Sequence, residues 1–407
     1  MLEALQRKNK PIIYLMLSKI NFLMNKIYLF TAAFAVMASL SGCSDTELAS
    51  IDTAQEKPPI GFHTVGSQMG SRATIINPAD ITKTDFRVFA FTKNDADDND
   101  NISFMGGVAD ETGHKGVTIK YNSKWDYANA SDCHYWPETT PLNFYAISPG
   151  TYDFTSISYS WNIAKDSKTI TYTSFDEYVN TTNPSSLDLM YAVAKNQVKS
   201  ENAGKVNLQF KHILSQIVFQ AKTKYENMQV QIKDVFIHNA YRKGTFTFPS
   251  STEPSQSNRS TDDFAYGKST CIIKEKNIVV NSNKTAEDIS SKNPSLFIPQ
   301  ILTAWKPEEK NKEAADAAKL SYLEINCRIQ QNGVYVFGKD GYKTLYVPFS
   351  ASWEPGKRYV YTLIFGGGYT EESQQILTPI TFDASVGNWV NDADNTSTGN
   401  DIVTQPQ

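Results

Sequence analysis

Cysteine is scarce in this chain, four in 407 residues, which excludes a scaffold built on disulfides. Charge of one sign is lacking too. Thirty-nine Lys and Arg stand against 43 Asp and Glu, a net −4, so no basic field marks a nucleic-acid partner. The amphipathic helices that a parallel α/β fold needs between its strands are missing. What the chain does have is aromatic surface: 22 Phe, 21 Tyr and 6 Trp, in a composition 40% hydrophobic and 20% charged. That excludes intrinsic disorder, which goes with few aromatics and excess charge. At roughly 150 residues per domain, the length allows two to three folded units.

Catalytic patterns are missing as well. Gly267-Lys268-Ser269 has the ending of a phosphate-binding loop, but Asp262 stands where the upstream glycine should be. The next residue but one, Cys271, denies the same segment the last glycine of a nucleophile elbow. His63, His114, His134, His212 and His238 are scattered without ligand spacing, and Cys133-His134 has no second pair to complete a metal site. Asp95, Asp97, Asp98, Asn99 and Asp100 open like a Ca²⁺ loop. Position six is Asp100 rather than Gly and position twelve is Gly106 rather than Glu, so a solvated loop is expected. His212, in an apolar run, reads as a satisfied core or interface histidine. No enzyme, metal or cofactor is expected. With Cys43 set aside, Cys133, Cys271 and Cys327 leave room for one disulfide and at least one free thiol.

The N-terminus carries an address. From Met24, read as the start, Lys26 is followed by the apolar run Ile27 to Leu40 and then by small residues, the layout of a secretory signal. That run is shorter than the roughly 20 residues a membrane-crossing helix needs. Leu40-Ser41-Gly42-Cys43 resembles the bacterial lipobox, whose cysteine takes a diacylglycerol and becomes the mature N-terminus. Residues 1–42 are therefore set aside. They hold Arg7, Lys8, Lys10, Lys19 and Lys26 against Glu3, so their loss takes the net charge from −4 to −8. Ser44 after the cysteine resembles an outer-membrane destination, and Asp45 and Glu47 resemble an acidic surface-export signal.

Beyond a polar tether ending at Pro58-Pro59, Ile60 and Phe62 alternate with polar neighbours in a short strand. A Gly- and Ser-rich loop follows, with one arginine, Arg72. Thereafter the runs are short, β-branched and aromatic, separated by Asn, Asp, Gly, Ser and Pro. Phe86 to Phe91, Leu142 to Ile147, Val206 to Phe210, Ile213 to Ala221, Val230 to Ile237, Tyr322 to Ile329 and Arg358 to Phe365 are the clearest. Residues 307–319 read as a surface helix with Glu308 and Lys312 paired four apart. The expected organisation is a signal over 1–42, a lipidated tether with the first strand over 43–72, and two β-sandwiches over 73–203 and 204–407. Trp125, Tyr127, Tyr135, Trp136, Trp161, Trp305, Trp353 and Trp389 are candidates for stacking on sugars, against the claims of the core.

These features resemble the fimbrillin family, the subunits of type V pili. The resemblance rests on the lipobox, on Gly70-Ser71-Arg72-Ala73, and on Trp136-Pro137, Asp188 to Ala192 and Phe210 to Ile217. Gly356 to Leu363 and Val386 to Trp389 complete it. It implies an all-β fold of two transthyretin-like β-sandwich domains in tandem, with minor helical insertions. It further implies a lipoprotein exported to the outer membrane and cut after Arg72 by an arginine-specific protease, leaving Ala73 at the N-terminus. That cut removes the first strand, and a neighbouring subunit's C-terminal strand replaces it. The implied partners are other pilus subunits and host or bacterial surface ligands. The C-terminus departs from the pattern, because residues 391–407 hold only Ile402-Val403 as adjacent apolar residues. This leaves a tip or accessory position open, with Ile376 to Phe382 as another mobile strand. The alternative is a permanently anchored β-sandwich lipoprotein that binds glycan.

Overall fold

The computed structural model describes residues 58–65, 78–93, 99–108, 114–150, 157–174, 188–241, 243–249, 259–260, 270–290 and 295–388. Cys43, Arg72, Ala73, Trp389, Asp95, Asp97, Asp98 and the C-terminal stretch lie outside them. The chain is nearly all β.

In the first half, β1 is Gly61–Val65, β2 Phe86–Lys93, β3 Asp100–Met105, β4 Val117–Asn122, β5 Lys124–Tyr127, β6 Leu142–Ser148, β7 Ile157–Ala164, β8 Ser167–Ser174, β9 Met190–Gln197, β10 Lys205–Gln209 and β11 Lys211–His212. The main sheet runs β11-β9-β6-β2-β4-β5, with β3 also on β2. Its central strands are buried on both faces, which is why Phe86 to Phe91 and Leu142 to Ile147 are continuous apolar runs rather than alternating ones. Phe86, Val88, Ala90, Phe144 and Ala146 pack with Ile60, Phe62, Val206 and Leu208 from β1 and β10. Phe89, Phe91, Tyr145 and Ile147 face the other way, against Tyr159, Ile163, Ile170 and Tyr172 of β7 and β8. In the outer sheet β14, Lys243–Thr247, pairs antiparallel with β8, and Arg259–Ser260 pairs with β14 in turn.

Past β11 the chain enters a different core. Here β12, Ser215–Thr223, pairs in parallel with Lys357–Phe365, from Gln216 opposite Arg358 to Thr223 opposite Phe365. Thr381–Asn388 lies antiparallel on the outer side of Lys357–Phe365. A second sheet holds β13, Met228–His238, between Thr270–Val280 and Tyr322–Gln331, with Lys343–Pro348 next. Ile217, Phe219, Leu363 and Phe365 from one sheet meet Ile232, Val235, Ile325 and Leu345 from the other in one apolar core. Phe210 belongs to the β1 side of the first half and Ile213 and Leu214 to its β7–β8 side, whereas Ile217 belongs to the new core. The handover thus falls between Leu214 and Ile217, and β10 and β14 pack with the first half.

The expected helix is shorter than its sequence run. Asn311 accepts the Ala314 N–H through its side chain at 2.9 Å, capping a helix of six residues, Lys312–Ala317. Glu308 stays outside it, and Lys312 pairs instead with Asp316 at 3.0 Å.

Candidate functional site

The site is the seat of the first strand. β1 runs parallel to β10 in register from Gly61 opposite Lys205 to Val65 opposite Gln209. This two-stranded ladder is separate from the main sheet. Among the described residues β10 has no other ladder partner, so its backbone groups on that side depend on β1 alone. Just before β1, the Ile60 N–H donates to the His134 carbonyl at 2.8 Å, and the Trp136 N–H donates to the Pro58 carbonyl at 3.3 Å.

Side chains follow the strand period. Ile60 and Phe62 are buried while His63 is exposed, as the alternation predicts. The Phe62 ring sits 5.9 Å from Phe86, 6.0 Å from Tyr127 and 6.3 Å from Phe144, each edge-on, inside an aromatic box. Two polar clamps reach in from β5. The Trp125 indole N–H donates to the Thr64 hydroxyl at 3.0 Å, and the Tyr127 hydroxyl donates to the Ile60 carbonyl at 3.0 Å. Burial pushes the Tyr127 phenol well above its ordinary range, so it stays protonated as a donor. Trp136, behind the strand, donates to the Gly204 carbonyl at 2.8 Å, next to the start of β10.

This geometry combines a short strand, one ladder partner and an apolar seat. Without β1, Val206, Leu208, Phe86 and Phe144 would line an open groove, and β10 would present an unpaired edge. Such a groove accepts an extended segment through main-chain bonds and selects it by alternate side chains.

The remaining singled-out residues fall elsewhere. His212 is buried and its Nδ1 lies 2.9 Å from Asp188 Oδ1, a core pair where β9 and β11 meet. Asp100 is not in a solvated loop. It begins β3, is buried, pairs with Lys168 at 2.6 Å, and accepts from Asn143 and Tyr145 at 2.8 Å each. Cys327 is free and buried, its thiol pushed up by that burial, and Cys133 is disulfide-bonded. Among the described residues no three His, Cys, Asp or Glu side chains gather as a metal site. Of the aromatic candidates, Trp125, Trp136, Trp305 and Trp353 are spent in cores, while Tyr135 is exposed.

The profile of the fimbrillin-like family matches residues 71–389. No curated protein matches the chain. Among solved structures it is similar to a fimbrial protein from Bacteroides vulgatus, 18% identical, covering 75% of this chain and 93% of that one, with a TM-score of 0.49. It is also similar to the tip fimbrial protein Mfa3 from Porphyromonas gingivalis with a C-terminal truncation, 9% identical, covering 75% of this chain and 94% of that one, with a TM-score of 0.33.

Proposed function

The chain belongs to the fimbrillin-like family, and from that premise we propose that it is a non-enzymatic, adhesive subunit of a cell-surface pilus. It is made as an outer-membrane lipoprotein on Cys43 and matured by cleavage between Arg72 and Ala73. The cut severs β1 from the chain after it, leaving it held there by the β10 ladder, the packing of Ile60 and Phe62, the contacts at Pro58 to Ile60 and the two clamps. A strand from a neighbouring subunit then takes the seat, and repetition links subunits into a polymer. The two-sandwich division is part of the same reading, with β10 and β14 counted by packing to the first sandwich.

One observation carries this reading: β1 is the ladder partner on which β10 depends, and its Ile60 and Phe62 fill the core beside it. A strand covering such a seat, followed within a few residues by Arg72, is placed so that one cut makes it exchangeable.

The test uses the purified lipoprotein precursor, an arginine-specific protease, and a fluorescent peptide with the sequence of residues 58–65. Cleavage after Arg72 followed by peptide uptake is expected, with no uptake by uncut protein or by Arg72→Ala treated alike. Uptake by uncut protein, or a fully cut protein that never takes up peptide, would contradict strand exchange at this seat.

A further inference from the structure

At the far end of the second core from Ser215 the structure holds an open cleft of about 630 Å³. β12 and Lys357–Phe365 run the same way, so Tyr225 and Gly366 follow their last residues at one end. Met228 lies opposite Gln331 in the adjoining sheet and brings that sheet's end to the same place. The cleft is lined by Tyr225, Met228, Val336 and Leu377 on its apolar side and by Gln331, Gln375 and Thr378 on its polar side. None of these is charged.

Met228 is buried, and the other three apolar lining residues are open to water. Tyr225 is 46% exposed, Val336 44% and Leu377 40%. The polar side is already oriented. The Gln331 carboxamide donates to the Glu226 carbonyl at 2.7 Å and that of Gln375 to the Leu377 carbonyl at 2.9 Å. Each bond takes one of the two N–H donors of its carboxamide and leaves the side-chain oxygen as an acceptor. The Tyr225 and Thr378 hydroxyls share a hydrogen bond at 3.2 Å, which fixes the ring at the rim. The rim's backbone is held as well. A Cβ on Gly367 would lie 1.9 Å from the Ile376 carbonyl oxygen, so only glycine lets the two backbones cross this closely. Leu377 stands at φ 58, a region leucine avoids, and holds its side chain out at the cleft edge.

We infer that this cleft is a binding site for a neutral saccharide. An exposed aromatic ring with aliphatic neighbours suits the C–H face of a sugar ring, and fixed amide oxygens suit its hydroxyl donors. The volume holds one or two sugar rings, and its lining is uncharged, with the Lys224 ammonium lying outside it, 5.9 Å from the Tyr225 ring centroid. The inference does not draw on the β1 seat, because none of its residues lines that seat.

Saturation-transfer NMR on the full processed protein tests it, with lactose, N-acetyllactosamine, diacetylchitobiose and mannobiose as neutral probes and sialyllactose as the charged comparison. Transfer from at least one neutral disaccharide is expected, with a Kd about tenfold weaker in Tyr225→Ala and in Gln375→Ala at unchanged melting temperature. Tyr225→Phe, which keeps the ring, serves if Tyr225→Ala fails to fold and is expected to retain most of the binding, while Gln375→Ala still weakens it. Silence from all four neutral probes, binding indifferent to both positions, or preference for sialyllactose would overturn the assignment.

Discussion

Phe62 holds more of the site together than any other residue of β1, because three rings close around it. Phe62→Ala should destabilise the uncut protein by about 3–5 kcal/mol, read from chemical denaturation. Processed protein that has lost β1 should not notice the change. The pair of Asp100 and Lys168 works differently. Asp100→Ala takes the carboxylate from the half-buried Lys168 ammonium, which keeps the Ala164 and Lys165 carbonyls, and from the buried Asn143 and Tyr145 donors, at a cost of about 1–3 kcal/mol. Adding Lys168→Met should recover only the part due to the ammonium in the same denaturation experiment, because Asn143 and Tyr145 remain without their acceptor. Asp316 sets a pH dependence. Burial alone would raise its carboxyl, but hydrogen bonds from Tyr322, Lys312 and Asn239 outweigh that and hold it below the ordinary range. A depressed folded-state value means the stabilisation is present above the unfolded-state value and lost as pH falls through the folded one. Asp316→Asn should therefore lower the melting temperature near neutrality and flatten the acid limb of the profile, the two proteins converging at low pH. At this scale the sequence was a partial guide. The buried role of Asp100 was hidden because its partners sit at 143, 145 and 168, whereas His212 stood out as a core residue by its apolar neighbours.

At the scale of elements, strands rich in Val, Ile and Phe could be read directly, and β1, β2, β6 and β13 fall where their patterns put them. β7 went unread although Ile157, Tyr159, Trp161 and Ile163 alternate, because Ser158, Ser160 and Asn162 make the segment look like turn. β9 went unread because Ala192 and Ala194 carry little strand preference, and only the two-faced burial of the main sheet explains them. The pairing of β1 with β10 has no local signal at all. Gly61 and Lys205 are joined by topology. The helix shows the opposite case, where a single capping residue overrules a longer run of helix formers. Asn311→Ala should cost about 0.5–2 kcal/mol, visible as a small fall in melting temperature, and leave peptide uptake at the β1 seat unchanged.

For the whole molecule, the described segments that carried the family resemblance fall into two groups. Phe210 to Ile217 crosses from one core to the next, Gly356 to Leu363 runs beside its far end, and Val386 lies opposite Tyr359 on the outer strand. Trp136 and Asp188 to Ala192 frame the first half, around the β1 seat and the His212 pair. The strand proposed to exchange thus lies in one core and the open cleft at the far end of the other. The central claim concerns the strand. Its most direct test is the N-terminal sequence and intact mass of the protein on the native cell surface, with the same sample run on a gel after mild heating and after boiling. The account predicts a chain beginning at Ala73 and a ladder of multimers that collapses on boiling. A lipidated monomer beginning at Cys43, with no ladder, would contradict it.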